Sequence, residues 1–343
     1  MQPKALSNIK PQTSDPISCW IVTEGMAGTE NQCLGITDAL GLEPIVKRIK
    51  LRSPWKELSP YLRLGNKFAV SPEGDQISAP WPDLLIASGR KSIAVSLAIK
   101  KASKGKTFTV QIQDPRVSSK LFDLVVVPKH DPTRGENVLV TDLALHRVTQ
   151  QITLQESIKF RHKLSKLPSP RIAALIGGNS KVHELTPGIM GDVAELLENL
   201  SKKYGAGLMV TASRRTGEDN EAILRARLKG LPVEFWDGTG DNPYFAYLGM
   251  ADSIIVTCDS VTMVSEAIST GKPVYVVDLE GGSPRFQKFY ETLMEKGYTR
   301  EFKGELENWT YTPPNDTLKV AQEIINRLNI HQQKFIQTRG KRK

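Results

Sequence analysis

Several side chains suited to binding a phosphate follow a predicted buried strand, Ser253–Thr257, in the second half of the chain. The loop after this strand contains Asp259, Ser260 and Thr262, and a helix is predicted to begin there. Hydroxyl groups and the free N–H groups of a helix start are typical of sites that hold a phosphate. One turn further along lies Glu266, whose carboxylate could accept hydrogen bonds from a ribose. Because α/β units bind ligands at the carboxyl ends of their strands, the segment predicts a nucleotide-diphosphate site.

Two other polar turns follow predicted strands in the same half of the chain. Asparagine and serine side chains can donate hydrogen bonds to phosphate oxygens, and an arginine guanidinium can clamp a diphosphate with two parallel hydrogen bonds. An arginine that simply faces water remains an equal alternative for the second turn. The residues of the two turns that we expect at the ligand are Gly177, Gly178, Asn179, Ser180, Ser213 and Arg214.

In the first half, a glycine-rich loop follows the first predicted strand. Gly25 and Gly28 lack a Cβ, so the backbone can turn tightly and approach a ligand closely, and Thr29 would stand at the following helix start. Glu24 and Glu30 are candidates for a general base beside a bound acceptor. The glycine spacing differs from the dinucleotide fingerprint G-x-G-x-x-G, and a purely structural turn remains an alternative.

A further polar turn ends the predicted strand TVQIQ in the first half of the chain. In a doubly wound sheet this turn lies at the same edge as the glycine-rich loop, because both follow the carboxyl ends of parallel strands. We therefore expect Gln113, Asp114 and Arg116 on the acceptor side of the site. Pro115 by itself would also explain a turn here, so a structural role stays open.

The elements that would position these side chains alternate between strand and helix, which predicts an α/β fold. The strands are short, largely apolar runs, as expected for parallel strands that are buried on both faces. We predict two doubly wound Rossmann-like domains that face a cleft, with a boundary at the two prolines of LPSPR. The predicted parts are a disordered leader at 1–16, a first domain at 17–166, a second domain at 171–312, and a terminal helix with a basic tail at 313–343.

The composition is that of an ordinary globular protein with a core, since 39% of its 343 residues are hydrophobic and 24% are charged. No apolar run approaches the ~18–20 residues that a membrane-spanning helix needs. The polar leader lacks the apolar centre of a signal peptide, which predicts a cytoplasmic protein. The three cysteines do not have metal-ligand spacing, so we expect free thiols and no metal site.

The net charge of +9 is unevenly distributed along the chain. No acidic residue occurs between Asp83 and Asp114, although this window contains several lysines and arginines. Such a surface attracts phosphorylated ligands, an anionic membrane or a protein partner, so peripheral membrane association is an alternative to a freely cytoplasmic protein. Nucleic acid is not an expected partner, because the basic residues are not interleaved with aromatic ones and no zinc-finger or RNA-binding pattern occurs.

Taken in order, the motifs resemble the glycosyltransferases of the GT-B fold, in particular the bacterial transferase that adds N-acetylglucosamine to the lipid-linked peptidoglycan precursor. The segments that carry this resemblance are Gly25–Gly28, Gly177–Ser180, Ser260–Glu266 and Gly271–Pro273. The chain as a whole resembles the mitochondrial fission ELM-like family, through WIVTEGMAGTENQCLGI, IGGNS, TASRRT and TCDSVTMVSEA. That family has bacterial members, and plant members that act as adaptors at the mitochondrial surface.

The GT-B resemblance implies a nucleotide-sugar in the second domain, with its phosphates at Ser260 and Thr262 and its ribose at Glu266. The acceptor would lie across the cleft, and the terminal helix would cross back to the first domain. The implied activity is glycosyl transfer from a nucleotide-diphosphate sugar, expected to be UDP-linked, without a cofactor or a metal ion. A non-catalytic adaptor and a nucleotide-sugar epimerase remain alternatives. The identity of the base also stays open, because no histidine precedes His130.

Overall fold

The computed structural model describes residues 16–62, 65, 68–236 and 238–340. Apart from Pro16, the predicted leader lies outside the described residues, as do the last three residues of the predicted basic tail. The chain divides into two compact units, Met1–Arg147 with Asn315–Lys343 and Val148–Pro314.

The first unit is built on one parallel sheet. Its strands are β1 (Cys19–Thr23), β2 (Ile45–Arg48), β3 (Leu84–Ser88), β4 (Phe108–Ile112), β5 (Leu124–Pro128) and β6 (Val138–Thr141). The helices that connect them are α1 (Ala27–Leu40), α2 (Trp55–Leu58) and α3 (Ser92–Ala102). Successive strand residues point to opposite faces, so Ile21 packs in one core with Ile36 of α1, whereas Val22 packs in another with Val95 of α3.

The second unit repeats this architecture with different connections. Its strands are β7 (Arg171–Ile176), β8 (His183–Glu184), β9 (Gly207–Ala212), β10 (Val233–Trp236), β11 (Ser253–Thr257), β12 (Val274–Val277), β13 (Glu280–Gly281) and β14 (Thr299–Glu301). Its helices are α4 (Gln150–Leu164), α5 (Pro187–Tyr204), α6 (Glu218–Arg227), α7 (Tyr244–Met250), α8 (Val261–Ile268) and α9 (Pro284–Glu295). The short strands β8 and β13 pair with each other, outside the main sheet.

The order of the strands locates the topological switch point of each sheet. The first sheet has the order β2-β1-β3-β4-β5-β6, and the second has the order β10-β9-β7-β11-β12-β14. Successive strands are added on one side of β1 and then, from β3 onward, on its other side. In the second sheet this reversal of strand order lies between β7 and β11. A crevice for a ligand forms at such a switch point, outside the carboxyl ends of the strands. The predicted α/β fold with two parallel, Rossmann-like sheets is confirmed.

A last helix, α10 (Asp316–Gly340), follows the second unit in the chain but belongs to the core of the first. The Asp316 carboxylate accepts hydrogen bonds of 2.9 Å from the backbone N–H groups of Asp142 and Leu143, which fixes the helix start. The apolar residues of α10 that are buried together with α1 are Val320, Ala321, Ile324, Ile325 and Leu328. Within the described ranges, no helix has the length and apolar character needed to cross a membrane.

The boundary between the two units lies at Arg147 and Val148, not at LPSPR. Helix α4 belongs to the second unit because it packs closely on α7, where a Cβ at Gly249 would lie 2.3 Å from Ser157 Oγ. The prolines that suggested a linker are part of a turn within the second unit, since Gly207 N–H donates to the carbonyl groups of Pro168 and Pro170. The sequence pattern therefore marked a real turn, but one inside a unit.

Candidate functional site

The loops after β7 and β11 meet at the switch point of the second sheet. Gly177 N–H donates to Thr257 Oγ1 at 2.7 Å, and Thr257 Oγ1 donates to Asp259 Oδ1 at 2.6 Å. A Cβ on Gly177 would lie 2.0 Å from Asp259 Oδ1, a distance that real Cβ contacts do not reach. Only glycine therefore fits at this position unless the Asp259 side chain moves.

The loop after β9 joins the other two loops through Arg215. Its guanidinium forms an ion pair of 2.6 Å with the Asp259 carboxylate, which is fully buried. Its carbonyl oxygen accepts from Asn179 N–H at 3.0 Å, and a Cβ on Gly178 would lie 2.0 Å from that oxygen. One arginine thus links all three polar turns of the second unit.

These contacts give Asp259 a structural role in the three loops. The sequence placed it among the phosphate contacts, but its carboxylate points inward to Arg215 and Thr257. Asp259 positions the loops, and its place as a phosphate contact stays a prediction.

Asn179 and Ser180 use their side chains to shape the turn after β7. Asn179 Oδ1 accepts from Leu185 N–H at 2.8 Å, and Ser180 Oγ accepts from His183 N–H at 3.0 Å. Both residues are nevertheless exposed at the carboxyl edge of the sheet. The expected binding residues are therefore present at this edge, with their side chains already engaged by the backbone of their own loop.

Ser260 and Thr262 lie at the start of α8, next to this edge. Ser260 has an extended backbone and is the N-cap of α8, with Oγ accepting from Met263 N–H at 3.3 Å. Thr262 is half-buried in the first turn of the helix. The positive end of the helix dipole and the backbone N–H groups of this turn are suited to an anion.

Ser213 and Arg214 follow β9. Ser213 Oγ accepts from Arg215 N–H at 3.1 Å, so this hydroxyl closes the turn. Arg214 is exposed and makes no ion pair or hydrogen bond with any other residue that the structure describes. Of the two neighbouring arginines, Arg215 is committed to Asp259, and Arg214 remains available for an external anion.

Glu266 is a buried carboxylate on α8, with 3% of its surface exposed. Tyr244 on α7 donates its hydroxyl to Glu266 Oε2 at 2.6 Å. Burial raises the pKa of Glu266 to about 7, and the hydrogen bond from Tyr244 opposes this shift. Burial, together with the neighbouring carboxylate, also raises the pKa of Tyr244 well above its ordinary value. Sequence reasoning missed Tyr244, because nothing in its own segment links it to a residue two elements away.

Helix α7, which carries Tyr244, is fixed at its other end by Lys272. The ammonium group of Lys272 donates to the carbonyl oxygens of Leu248 and Gly249 at 2.7 and 2.6 Å. A cation at a helix C-terminus satisfies carbonyl groups that have no partner within the helix. Burial lowers the pKa of this lysine to about 8. The Gly271–Pro273 segment thus contributes to the position of Tyr244.

A cavity of about 550 Å³ adjoins the same edge of the second unit, between β12, β14 and α9. Its lining includes polar groups suited to hydroxyl recognition, namely His183, Asp278, Gln287 and Tyr290, beside Cys258 and Phe286. Tyr290 donates its hydroxyl to the Cys258 carbonyl group, which connects α9 to the loop after β11. The α9 residues escaped the sequence analysis because they follow no recognisable motif. Among the described residues, no group of three or more His, Cys, Asp or Glu side chains could hold a metal ion.

In the first unit, both candidate bases are engaged by cations. Glu24 Oε1 lies 2.6 Å from Lys91 Nζ, and the Glu30 carboxylate accepts two hydrogen bonds, of 3.0 and 2.6 Å, from Arg48. Lys91 follows β3 and Arg48 ends β2, so both ion pairs lie at the carboxyl edge of the first sheet. Each candidate base therefore already has a cationic partner in this arrangement.

The glycine-rich loop of the first unit forms the turn that its sequence predicts. Gly25 has a φ of +82°, which glycine adopts without strain, and its N–H donates to Thr23 Oγ1 at 3.2 Å. Gly28 lies in the first turn of α1. The Thr29 hydroxyl donates to the Met26 carbonyl group at 2.9 Å, so it is used within the turn.

The turn after β4 is strained. Gln113 and Arg116 have φ values of +73° and +55°, in a region that few residues other than glycine adopt. Asp114 Oδ1 stabilises this turn by accepting from Arg116 N–H at 2.9 Å and from Thr133 Oγ1 at 2.7 Å. Gln113 Nε2 donates to Gln32 Oε1 on α1 at 3.3 Å. Backbone strain of this kind is often found at functional sites. Here the hydrogen bonds to Asp114 stabilise the strained conformation of the turn.

Comparison with known proteins assigns the chain to a family. A family model described as mitochondrial fission ELM1 matches residues 27–328. The chain belongs to the mitochondrial fission ELM1 family. A curated relative, the mitochondrial fission protein ELM1 of Arabidopsis thaliana, is 26% identical over 386 aligned residues, which cover 90% of each protein. The family resemblance of the sequence motifs is confirmed.

The fold of this ELM1-family chain is that of the GT-B proteins. A putative UDP-N-acetylglucosamine 2-epimerase from Listeria monocytogenes matches with a TM-score of 0.56 and 12% identity, covering 93% of this chain and 91% of its own. The UDP-GlcNAc 2-epimerase of Methanocaldococcus jannaschii, solved with UDP-GlcNAc and UDP, matches with a TM-score of 0.52 and 11% identity, covering 92% and 100%. At such identities the likeness establishes the fold alone.

Proposed function

We propose that the second unit binds a nucleotide-diphosphate sugar and that the protein transfers the sugar to an acceptor. The observation that supports this most directly is the meeting of three parts at the switch point between β7 and β11. These parts are the Gly177–Gly178 turn, the Ser260-capped start of α8, and the buried Glu266 carboxylate one turn further on. The arrangement offers N–H donors for phosphates and an acceptor for ribose hydroxyls at one edge of the sheet.

Each group has a role that follows from its chemistry. The N–H groups at the start of α8 and the Arg214 guanidinium would bind the diphosphate, and would stabilise the charge that develops on it as the sugar leaves. Glu266 would accept hydrogen bonds from the ribose, and Tyr244 would orient its carboxylate. The cavity between β12 and α9 offers space and polar groups for the sugar. The proposal requires no cofactor and no metal ion.

The nucleotide that we expect is uridine diphosphate, and the compartment is the cytoplasm. The Methanocaldococcus jannaschii structure of the same fold was solved with UDP-GlcNAc and UDP bound, which supports a uridine base. All three cysteines are free and buried, which suits a reducing compartment.

Calorimetry with UDP, GDP, ADP, dTDP and their sugars tests the donor site. We expect saturable binding of the uridine compounds, lost in Glu266→Ala and kept in Glu195→Ala, which removes an exposed carboxylate on α5. Tyr244→Phe removes only the hydroxyl that orients Glu266, and should weaken binding without abolishing it. Folded protein that binds none of these nucleotides would remove the basis of the proposal.

A second candidate is a nucleotide-binding adaptor without turnover. It is favoured by the ion pairs of Glu24 and Glu30, which engage both candidate bases, and by membership of a family named for mitochondrial fission. Release of UDP from a bound UDP-sugar, measured with and without candidate acceptors, separates the two functions. Release that Glu24→Gln or Glu30→Gln abolishes supports transfer. Binding without release supports the adaptor, and interconversion of the sugar without an acceptor would indicate an epimerase.

A further inference from the structure

The cavity between β12, β14 and α9 has a one-sided set of charges. Among the described residues that line it, three are acidic and none is a lysine or an arginine. The acidic residues are Asp278 after β12, Glu291 on α9 and Glu301 on β14, and all three are exposed. Because the whole chain has a net charge of +9, this excess of negative charge is a local property of the cavity.

The Asp278 carboxylate is available to a ligand. Within the described ranges it makes no hydrogen bond or ion pair with another residue. The other two carboxylates are engaged, since Glu291 Oε1 accepts from Gln287 Nε2 at 3.0 Å and Glu301 pairs with Lys303 at 2.8 Å. An ionised carboxylate can only accept hydrogen bonds, so the partner that suits Asp278 is a donor or a cation.

A metal ion does not fit these carboxylates. Protein sites for hard cations need several oxygen ligands that converge on one point. In the part of the chain that the structure describes, no group of three or more His, Cys, Asp or Glu side chains has that arrangement. The negative charge of the cavity is therefore suited to the hydroxyl or ammonium groups of an organic ligand.

The wall of the cavity also contains a buried hydroxyl group. Thr299, at the start of β14, lines the cavity and is 2% exposed. Its Oγ1 has no hydrogen-bond partner among the described residues. A buried hydroxyl that stays unpaired costs free energy, and native proteins usually pair such groups. Its place in the wall of a cavity of about 550 Å³ indicates that a polar group of a ligand belongs there.

The cavity adjoins the loop that leads to the proposed phosphate site. Cys258 lines the cavity and lies two residues before Ser260, the N-cap of α8. The Tyr290 hydroxyl donates to the Cys258 carbonyl group, which fixes α9 against this loop. Burial raises the pKa of Tyr290 well above its ordinary value, and nearby ionisable groups that include Asp278 add to the shift. A group attached to a diphosphate at the start of α8 would thus be close to Asp278.

We propose that this cavity selects a nucleotide-diphosphate sugar that carries a free amino group. The inference rests on the proposed function, because it concerns the sugar of the same donor. The ammonium group lies against Asp278, while Glu291 and Glu301 add to the negative potential around it. A sugar that carries a carboxylate is disfavoured, since like charges would then face each other.

Calorimetry of the full-length protein compares UDP, UDP-glucosamine, UDP-glucose and UDP-glucuronic acid. All titrations use one mildly acidic pH, at which the amine is charged, so that the ligands differ in the charge of the sugar alone. We expect UDP-glucosamine to bind about tenfold more tightly than UDP-glucose, and UDP-glucuronic acid to bind about tenfold more weakly. Added salt should reduce both differences.

The Asp278→Asn variant keeps the shape of the side chain and removes its charge. The preference for UDP-glucosamine over UDP-glucose should fall about fivefold or more, because the carboxylate nearest the ammonium group is lost. Glu280→Gln is the matched control, since it removes an exposed carboxylate two residues away that is not part of the lining. This control should keep the preference of the wild type.

The Thr299→Val variant separates a ligand contact from a structural role. Valine has nearly the shape of threonine, so loss of an unpaired buried hydroxyl should not lower the thermal midpoint. The same change should weaken the binding of each UDP-sugar relative to that of UDP. A variant that is destabilised and binds the sugars normally would make this hydroxyl a structural group and would count against the inference.

The titrations also separate failure of this inference from failure of the proposed function. Binding of UDP with equal affinities for the three UDP-sugars, or a preference that Asp278→Asn leaves unchanged, would overturn the inference and leave the nucleotide site in place. Folded protein that binds neither UDP nor any of its sugars would overturn the proposed function, and the inference with it.

Discussion

The Asp259 carboxylate holds three loops of the second unit through Thr257 and Arg215. The Asp259 carboxylate can occupy this position because Gly177 has no Cβ, which would otherwise overlap with it. A glycine can therefore matter for a binding edge without touching a ligand, because it lets a charged side chain enter. At the scale of single residues, this arrangement can be tested directly.

Gly177→Ala should destabilise the protein by about 2 kcal/mol and weaken nucleotide binding, because the new methyl group displaces Asp259. Gly191→Ala is the control, since Gly191 lies inside α5 and a methyl group added there would have no heavy atom within 4 Å. That change should be neutral or slightly stabilising, as alanine favours a helix over glycine. Urea denaturation and calorimetry with UDP measure both effects. Equal stability of the two variants would contradict the tight approach at Gly177.

The raised pKa of Glu266 predicts a dependence of stability on pH. With a folded-state pKa of about 7 and an ordinary value of 4.5, the folded protein binds this proton more tightly than the unfolded chain. Stability contributed by the protonated carboxyl is complete at acidic pH and is lost as the pH rises from the unfolded value through about 7. The loss by about pH 8 should be on the order of 3 kcal/mol.

Glu266→Gln isolates this effect, because glutamine has nearly the same shape and keeps an oxygen that can accept from Tyr244. Urea denaturation of wild type and variant at several pH values gives the difference in unfolding free energy. The variant should gain stability relative to the wild type as the pH rises through the window. A constant difference across this range would show that the carboxyl titrates normally.

At the scale of elements, α10 is the part whose role depends most on the fold. The helix was predictable from the sequence because TPPN and the start signals Asn315 and Asp316 precede it. The resemblance implied that this helix crosses back to the first domain, but the sequence does not show which core receives its apolar face. In the structure it is the core that also contains α1, and Asp316 fixes the start of the helix through two backbone N–H groups.

Ile324→Ala should destabilise the first unit by about 3 kcal/mol, because it leaves a cavity where a fully buried side chain was. Ile330→Ala is the control on the same helix, since its side chain is 55% exposed, and should change stability by less than about 0.5 kcal/mol. Thermal and urea unfolding of both variants provide the comparison. Similar losses in the two would mean that α10 does not bury the predicted face.

At the scale of the whole molecule, the division of the chain can be tested with fragments. Residues 148–314 form a compact unit that contains α4, whereas a fragment of residues 171–312 lacks this helix. Without α4, the face of α7 around Gly249 loses the residues that cover it. We expect 148–314 to fold with a cooperative thermal transition and to bind UDP, and 171–312 to aggregate or to melt without cooperativity. If 171–312 were as stable as the longer fragment, the boundary at LPSPR would be the better one.

The sequence alone determined the alternation of strands and helices, the parallel sheets and the family. These are local or repeated properties, because short apolar runs, glycine turns and motif order can be read without knowing which parts meet. The sequence also predicted Ser260 and Glu266 as binding residues, because both lie in one continuous strand-loop-helix segment. Their local placement, at the N-cap and inside α8, agrees with that expectation.

Only the tertiary structure decided what each polar residue contacts. Asp259 and Arg215 lie in different loops, Tyr244 reaches Glu266 across 22 residues, and Glu24 meets Lys91 across 67. The place of the LPSPR prolines in a turn inside the second unit also depends on the tertiary structure, because a turn within a unit and a linker between units have the same local composition. Charge pairing, burial and close packing join residues that are distant in sequence, and these are the properties that fix a carboxylate as a ligand, a base or a structural support.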